Sequence, residues 1–408
     1  MSFTVLLDLD NTLITNDMGN FLPAYLKKLS SYLPEWPAEK VIQTLMAGTN
    51  KMVTKKVPNK TLEQEFDSIF YPGLGVDKIE LQKRIDKFYQ EGFPTLQGFT
   101  STRPEALSLV DFLFNKGYPV VIATNPLFPL TAIEQRLEWA GLPVNQFSFA
   151  LVTSFETFHF CKPNPAYLAE ILAQLGWPDQ PAVVIGDGLD EEIIPAGKLG
   201  IPAFWITDKS TSMPAGLHPM SEKGTLGDVI PWLQRLEAVG NFESQIFTPE
   251  SILAVLNSTP AAFDTFTKKI SGIEWHQRLT DTDWAANEII CHLRDVDQEV
   301  NLPRMKSVAS GENPFFAGIV TDVWAEERKY IQEDGITALN AFTEVRSQLV
   351  KLLADLDEKS WELPARHAIF GPTKLLELAG FISTHDRTHV HQMFQLVNKL
   401  IFSINGGM

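Results

Sequence analysis

The sequence predicts two folds in tandem: an α/β domain built on a parallel sheet with an inserted helical cap, then an all-α four-helix bundle. Three observations predict it. Short apolar runs that end in polar residues alternate with helical segments up to about residue 206. Residues from about 15 to 95 interrupt that alternation with helical spacing alone. From about residue 247 onward the strand signals fade and long helical runs take over.

The elements follow in order. Val5 to Leu7 is a short buried strand whose carboxyl end carries Asp8 and Asp10. Phe21, Leu22, Tyr25, Leu26 and Leu29 recur at helical spacing and open the insertion, which Pro58, Pro72 and Gly73 divide. Pro104 to Lys116 reads as a helix closed by Gly117, and Val120 to Ala123 as a strand running into Thr124-Asn125-Pro126. Leu130 to Ala140 is helical, Phe147 to Val152 a strand, Pro165 to Leu175 helical, and Pro181 to Ile185 a strand ending in Gly186-Asp187-Gly188. A helix at Ile193 to Leu199, a strand at Ile201 to Ile206 and a helix near Leu226 to Val239 complete the first domain. In the second, Pro249 to Leu256, Trp284 to Asn301, Ile319 to Tyr330, Ile336 to Leu356 and Thr373 to Ile401 are the helical candidates. The expected boundaries are 1–240, with the cap at about 15–98, and 247–404.

A chain of 408 residues exceeds one ordinary core, which agrees with this division. The formal net charge of -16 excludes nucleic acid and anionic membrane as expected partners, though a basic pocket for a small phosphorylated metabolite is compatible with it. Cys161 and Cys291 give no disulfide framework. No signal peptide and no membrane-length apolar run is visible, so the expected location is cytoplasmic.

In a parallel sheet the strand ends share one edge, so Asp8/Asp10/Thr12, Thr124/Asn125, Lys162 and Asp187/Asp190/Glu191/Glu192 can converge. That mixture suits phosphoryl transfer. One carboxylate attacks phosphorus and a second protonates the leaving oxygen. A hydroxyl, an amide and an ammonium hold the phosphoryl oxygens, and Mg²⁺ screens the negative charges.

On these motifs the chain resembles the phosphatase branch of the haloacid dehalogenase-like (HAD) hydrolases, over roughly residues 3–235. The matching motifs are Asp8-Leu9-Asp10-Asn11-Thr12, Thr124 after its strand, Lys162-Pro163-Asn164-Pro165, and Gly186-Asp187-Gly188-Leu189-Asp190-Glu191-Glu192. The resemblance implies a Rossmann-like core with a helical cap and a phosphoric monoester hydrolase acting through an aspartyl phosphate. It makes Asp8 nucleophile and metal ligand, and Asp10 the acid/base, with its backbone carbonyl on Mg²⁺. Thr124 and Lys162 become phosphate holders, joined by Thr12 and Asn125 in substrate binding. Asp187 becomes a further metal ligand. The last acidic position falls at Glu192, one methylene longer than the usual aspartate, with Asp190 and Glu191 as alternatives. Dehalogenases lack the second aspartate, so Asp10 favours ester hydrolysis. Lys51, Lys55 and Lys56 form a basic group in the cap that either meets an anionic leaving group or is a solvated helix face.

In the second domain His385 and His389 share a helix face, His391 is offset, and His292 lies on another helix. Three imidazoles from two helices suit Zn²⁺, Ni²⁺ or Fe²⁺. Here His292-Leu293-Arg294-Asp295 and the closing His385, His389 and Gln392 resemble the DinB/YfiT-like metal-binding bundles, over about residues 247–404. The resemblance names His292, His385 and His389 as ligands. Trp275, Trp284, Trp324 and Trp361 read as packing residues, and His276 as a weak outer-site candidate. Two other readings stand beside the phosphatase: a DinB-like thiol-dependent transferase or metal hydrolase with a regulatory phosphatase-like domain, and a non-enzymatic phosphometabolite or metal sensor. The bundle also offers a route to a homodimer.

Overall fold

The computed structural model describes residues 2–208, 210–240 and 247–405. It divides into two compact units. The first comprises Met1–Lys56, Lys60–Asn164 and Asp179–Ser244; the second comprises Val57–Asn59, Pro165–Pro178 and Gln245–Met408.

The first unit is a Rossmann-like α/β core with a helical insertion. Its strands are β1 (Thr4–Leu7), β2 (Ile14–Asn16), β3 (Thr100–Thr102), β4 (Val120–Ile122), β5 (Leu151–Val152), β6 (Ala182–Gly186), β7 (Ala203–Ile206) and β8 (Glu222–Gly224). Six of them form a parallel sheet in the order β5-β4-β1-β6-β7-β8. The residues of β1 are all buried, which is why a run of Val and Leu without alternation belongs there. The register places Leu7 opposite Ile122 on one side and Ile185 on the other. Asp8, Thr124 and Asp187 therefore leave the sheet at the same carboxyl edge.

The chain turns after β1 at Asn11, whose φ of 56° is tolerated by a short polar side chain better than by most residues. Its Oδ1 accepts the Asn16 amide at 3.1 Å. The insertion consists of α1 (Met18–Ser31), α2 (Ala38–Val53), α3 (Leu62–Leu74) and α4 (Lys78–Lys87), with short helical turns to Phe99. Its two ends pair as the antiparallel ribbon β2–β3, from Ile14↔Thr102 to Asn16↔Thr100. The sequence reading missed this ribbon because each strand is only three residues long and carries no apolar alternation. The core helices are α5 (Pro104–Asn115), α6 (Leu130–Trp139), α8 (Ile194–Lys198) and α9 (Val229–Val239).

In the second unit, α7 (Pro165–Gln174) packs on α10 (Pro249–Thr267). The other helices are α11 (Ala286–Val296), α12 (Leu302–Ala309), α13 (Trp324–Glu327), α14 (Gly335–Ala354) and α15 (Leu375–Asn405). Both α10 and α11 pack against α14 and α15, which makes the helical bundle. Two details differ from the all-α expectation. The predicted helix over 319–330 shrinks to four residues at α13 and a single turn at Tyr330, with Val320 and Val323 left exposed. Three short strands, β9 (Phe315–Phe316), β10 (Pro364–His367) and β11 (Gly371–Lys374), form a small sheet. No helix among the described residues is long and apolar enough to cross a membrane.

Candidate active site and metal centre

The first site lies at the carboxyl edge of β1, β4 and β6. The Asp8 amide donates to Ile185 O at 3.0 Å, and the Ala123 amide to Leu7 O at 2.6 Å. These bonds carry the parallel ladder to the last residue before the polar groups. The Lys162 side chain is 1% exposed, and its Nζ donates to Asp8 Oδ1 and Glu192 Oε1, both at 2.6 Å. The second Glu192 oxygen, Oε2, accepts the Gly188 amide at 2.6 Å. Burial and the negative charge of Asp8 raise Asp187 to about 6, against the pull of Lys162. Burial likewise pushes Glu192 upward.

Asp10 is held from the other side. It pairs with Arg136, whose side chain is 4% exposed, and accepts from Asn16 Nδ2 at 3.0 Å. Burial lowers Arg136 to about 10. Arg103 donates to the backbone carbonyls of Asn11 and Thr12, which fixes the loop that carries Asp10. Thr124 is buried, and its carbonyl accepts from Thr153 Oγ1 at 2.9 Å. Thr12 Oγ1 and Asn125 Oδ1 are buried polar atoms with no hydrogen-bond partner among the described residues. Unmet polar atoms of this kind are costly unless something else meets them.

In the second unit His292, on α11, meets His385 and His389, on α15. His385 Nε2 lies 3.2 Å from His292 Nε2 and 3.2 Å from His389 Nε2. Nitrogens about 2.0–2.1 Å from a tetrahedral ion stand about 3.3 Å apart, so the spacing fits a coordination shell. His389 Nδ1 is 2.9 Å from Gln392 Oε1. An amide oxygen only accepts, so the ring carries its proton at Nδ1 and keeps its Nε2 lone pair. Burial, then the neighbouring imidazoles, lowers His292 to about 3; burial and His385 lower His389 to about 4. Burial also lowers His385. All three shifts favour the neutral ring, the form that binds metal. Trp284 stacks on His389 with ring centroids 5.7 Å apart and an interplanar angle of 1°.

Beneath the triad, Arg346 is fully buried. Its Nε donates to Asp297 at 2.6 Å and its Nη2 to Asp386 Oδ1 at 3.0 Å, with a further Nη1 bond to Asp386. Asp386 also accepts from Thr259 Oγ1 at 2.7 Å. The network joins α10, the turn after α11, α14 and α15, and Asp386 adjoins the ligand candidate His385.

Residues 4–200 match the family described as haloacid dehalogenase-like hydrolase, and residues 256–393 match the DinB superfamily. At the superfamily level, a HAD-like hydrolase domain and a DinB-like domain are fused in this chain. Among similar solved structures, 2-haloacid dehalogenase from Pseudomonas syringae pv. Tomato DC3000 is 21% identical, with 58% of this chain and 100% of that chain covered and a TM-score of 0.41. The HAD phosphatase from Thermococcus onnurineus is 20% identical, with 57% and 97% covered and a TM-score of 0.37. YfiT from Bacillus subtilis, with its four-helix bundle, is 17% identical, with 40% and 91% covered and a TM-score of 0.35. No curated protein matches the chain.

Against the sequence expectations, the HAD-like domain brings Asp8, Lys162 and Glu192 into direct contact. Among the described residues, the one group of three or more His, Cys, Asp or Glu side chains placed to hold a metal ion is His292, His385 and His389, whose ligand atoms lie within 4.8 Å of one another. Of the cap lysines, Lys55 is buried, with its Nζ 5.8 Å from the Phe160 ring centroid, while Lys51 and Lys56 are exposed. In the DinB-like domain His391 turns away to the Gly176 carbonyl, 2.8 Å from Nδ1. Trp284 packs on His292 and His389 of the triad. His276 contacts Asn287 and the Ile331 carbonyl instead. Arg136 was not predicted at all; it lies mid-helix at an ordinary amphipathic position, and only the tertiary fold aims it at Asp10.

Proposed function

We propose that the HAD-like domain is a Mg²⁺-dependent phosphatase acting on a small phosphate monoester through an aspartyl phosphate on Asp8. The observation that carries the reading is the buried Lys162 bridging Asp8 and Glu192 at the strand edge, on the same edge as the buried Thr12 hydroxyl, which can donate and has no partner among the described residues. The carboxylates of Asp8 and Asp187 with the Asp10 backbone carbonyl would supply hard oxygen donors of the kind Mg²⁺ prefers, an ion that takes one or two carboxylates beside substrate oxygens. Bound there, the ion would offset negative charge on the phosphoryl group. Both Glu192 oxygens are engaged, so its assigned work is to position Lys162 rather than to ligate metal.

With Oδ1 held by Lys162, the other Asp8 oxygen attacks phosphorus and the ester P–O bond breaks. Asp10, oriented by Arg136 and Asn16, gives the leaving oxygen its proton. It then takes a proton from the water that cleaves the acyl phosphate, releasing phosphate and restoring Asp8. Thr124, Asn125 and Lys162 hold the phosphoryl oxygens as charge rearranges. Phosphate release with Mg²⁺ across a panel of phosphorylated metabolites, wild type beside Asp8→Asn, tests this. Activity lost in the variant is the expected result; equal activity in both would overturn it.

The DinB-like domain carries a second centre. His292, His385 and His389 are assigned as the ligands of one divalent ion, Zn²⁺, Ni²⁺ or Fe²⁺. Metal analysis should find one ion per chain in wild type and none in His385→Ala. Whether that centre is catalytic is decided by comparing Asp8→Asn with His292→Ala: if Asp8→Asn retained the main activity and His292→Ala lost it, the transferase or metal-hydrolase reading would replace the phosphatase.

A further inference from the structure

The HAD-like domain holds a cavity of about 380 Å³, within the range of small-molecule sites. Its walls are apolar and aromatic, with Leu22, Leu45, Phe66, Phe70 and Phe128 among them. Two contacts tie it to the candidate acid. Met18 lines the cavity and its sulfur lies 3.2 Å from Asn16 Nδ2, the group that also donates to Asp10. Phe128 lines it too, and the Arg136 guanidinium that pairs with Asp10 lies 5.8 Å from its ring centroid.

The charged lining is one-sided. Glu63, Asp67, Asp86 and Glu156 face a single ammonium, Lys78. That ammonium is already engaged by Glu63 at 2.6 Å and Asp67 at 2.7 Å. The cap lysines Lys51, Lys55 and Lys56 are not part of the lining. A second anionic group on a substrate would therefore meet like charge in a largely apolar space. Tyr25 and Tyr89 also line the cavity, with their hydroxyls 3.2 Å apart. Two hydroxyls carry two hydrogens, and their mutual bond uses one. The other is a donor for an oxygen of a ligand.

We propose that this cavity takes the leaving group of the ester, and that the group is an apolar alcohol or phenol bearing no negative charge. The inference rests on the phosphatase reading and narrows its substrate class: aryl and apolar alkyl monophosphates are substrates, whereas phosphorylated carboxylic acids and sugar phosphates are poor ones.

The test uses the full chain with Mg²⁺ and compares kcat/KM for 2-naphthyl phosphate, 2-phosphoglycolate, ribose 5-phosphate and acetyl phosphate. Thr49→Trp and Met46→Trp fill the cavity from two points on α2, Met46 being exposed enough to spare the fold. The expected result is at least a tenfold preference for 2-naphthyl phosphate over 2-phosphoglycolate and ribose 5-phosphate. The ratio of 2-naphthyl to acetyl phosphate should fall at least tenfold in either folded variant. Preference for 2-phosphoglycolate or ribose 5-phosphate, or a ratio unmoved in both variants, overturns the proposal. Binding of 2-naphthol, followed by calorimetry, separates the two readings. If no ester is cleaved but 2-naphthol binds wild type and not the filled variants, the cavity assignment stands and the phosphatase reading fails. If 2-naphthol does not bind wild type, the cavity assignment fails whatever the turnover.

Discussion

In each unit a deeply buried cation lies between two carboxylates, and the two sets differ in what surrounds them. In the HAD-like domain Lys162 joins Asp8 and Glu192; in the DinB-like domain Arg346 joins Asp297 and Asp386. The Arg346 set is closed. Its three side chains are at most 1% exposed, Leu256 and Thr259 supply further partners, and four helical segments meet on it. The Lys162 set lies where strands end, beside polar atoms that the protein leaves unmet, and its Asp8 keeps 6% of its side-chain surface. A buried ion triad is thus not a site by composition. On the proposed function, the same charges brace a bundle when they are matched inside it and serve chemistry when they edge a strand terminus.

The sharpest way to break this comparison is to remove each cation. Arg346→Met leaves two buried carboxylates unpaired and should cost about 3–5 kcal/mol of stability, read by denaturant unfolding. A loss below about 1 kcal/mol would mean that the triad is not a brace. Lys162→Met should lower kcat/KM for phosphate release about 10²- to 10³-fold, the usual effect of deleting one electrostatic stabiliser. If it destabilised as strongly as Arg346→Met while leaving the residual rate intact, the two sets would be equivalent.

Acid sharpens the contrast with the neighbouring imidazoles. His292 and His389 are depressed to about 3 and 4 by burial, whereas an unfolded histidine titrates near 6.5. The unfolded chain therefore binds protons first as the pH falls, and stability is lost below about 6.5 until the folded rings also protonate. For chelator-treated protein the loss is about 1.4 kcal/mol per pH unit per ring. Melts of the bundle at pH 7.5 and pH 5 check it; an unchanged midpoint would contradict the buried neutral triad. The smallest effect is expected from Gln392→Leu, which removes the Nδ1 partner of His389 and should weaken metal affinity about tenfold by competition with a chelator. Unaltered affinity would mean that the Gln392 contact does not orient the ligand.

Much of this architecture can be read from sequence because it is local. The run from Val5 to Leu7 and its paired aspartates specify a strand and its polar terminus, and the spacing of His385 and His389 puts both on one helix face. Long-range contacts were less accessible. The Lys162–Asp8 and Lys162–Glu192 bonds span 154 and 30 residues, so spacing alone allowed Glu192 as a metal ligand while the fold turns both its oxygens to Lys162 and Gly188. Arg136, Arg346 and Trp284 carry no local signature. Their periodicity is that of ordinary helix and packing residues, and only the meeting of distant elements gives them Asp10, Asp386 and His389 as neighbours. Sequence by itself determined which residues could do chemistry and on which elements they ride, because hydrophobic periodicity and backbone preference act over a few residues. The tertiary structure alone decided which charges meet, which are neutralised and which remain turned toward a cavity, because burial and Coulomb interaction depend on distance through space rather than along the chain.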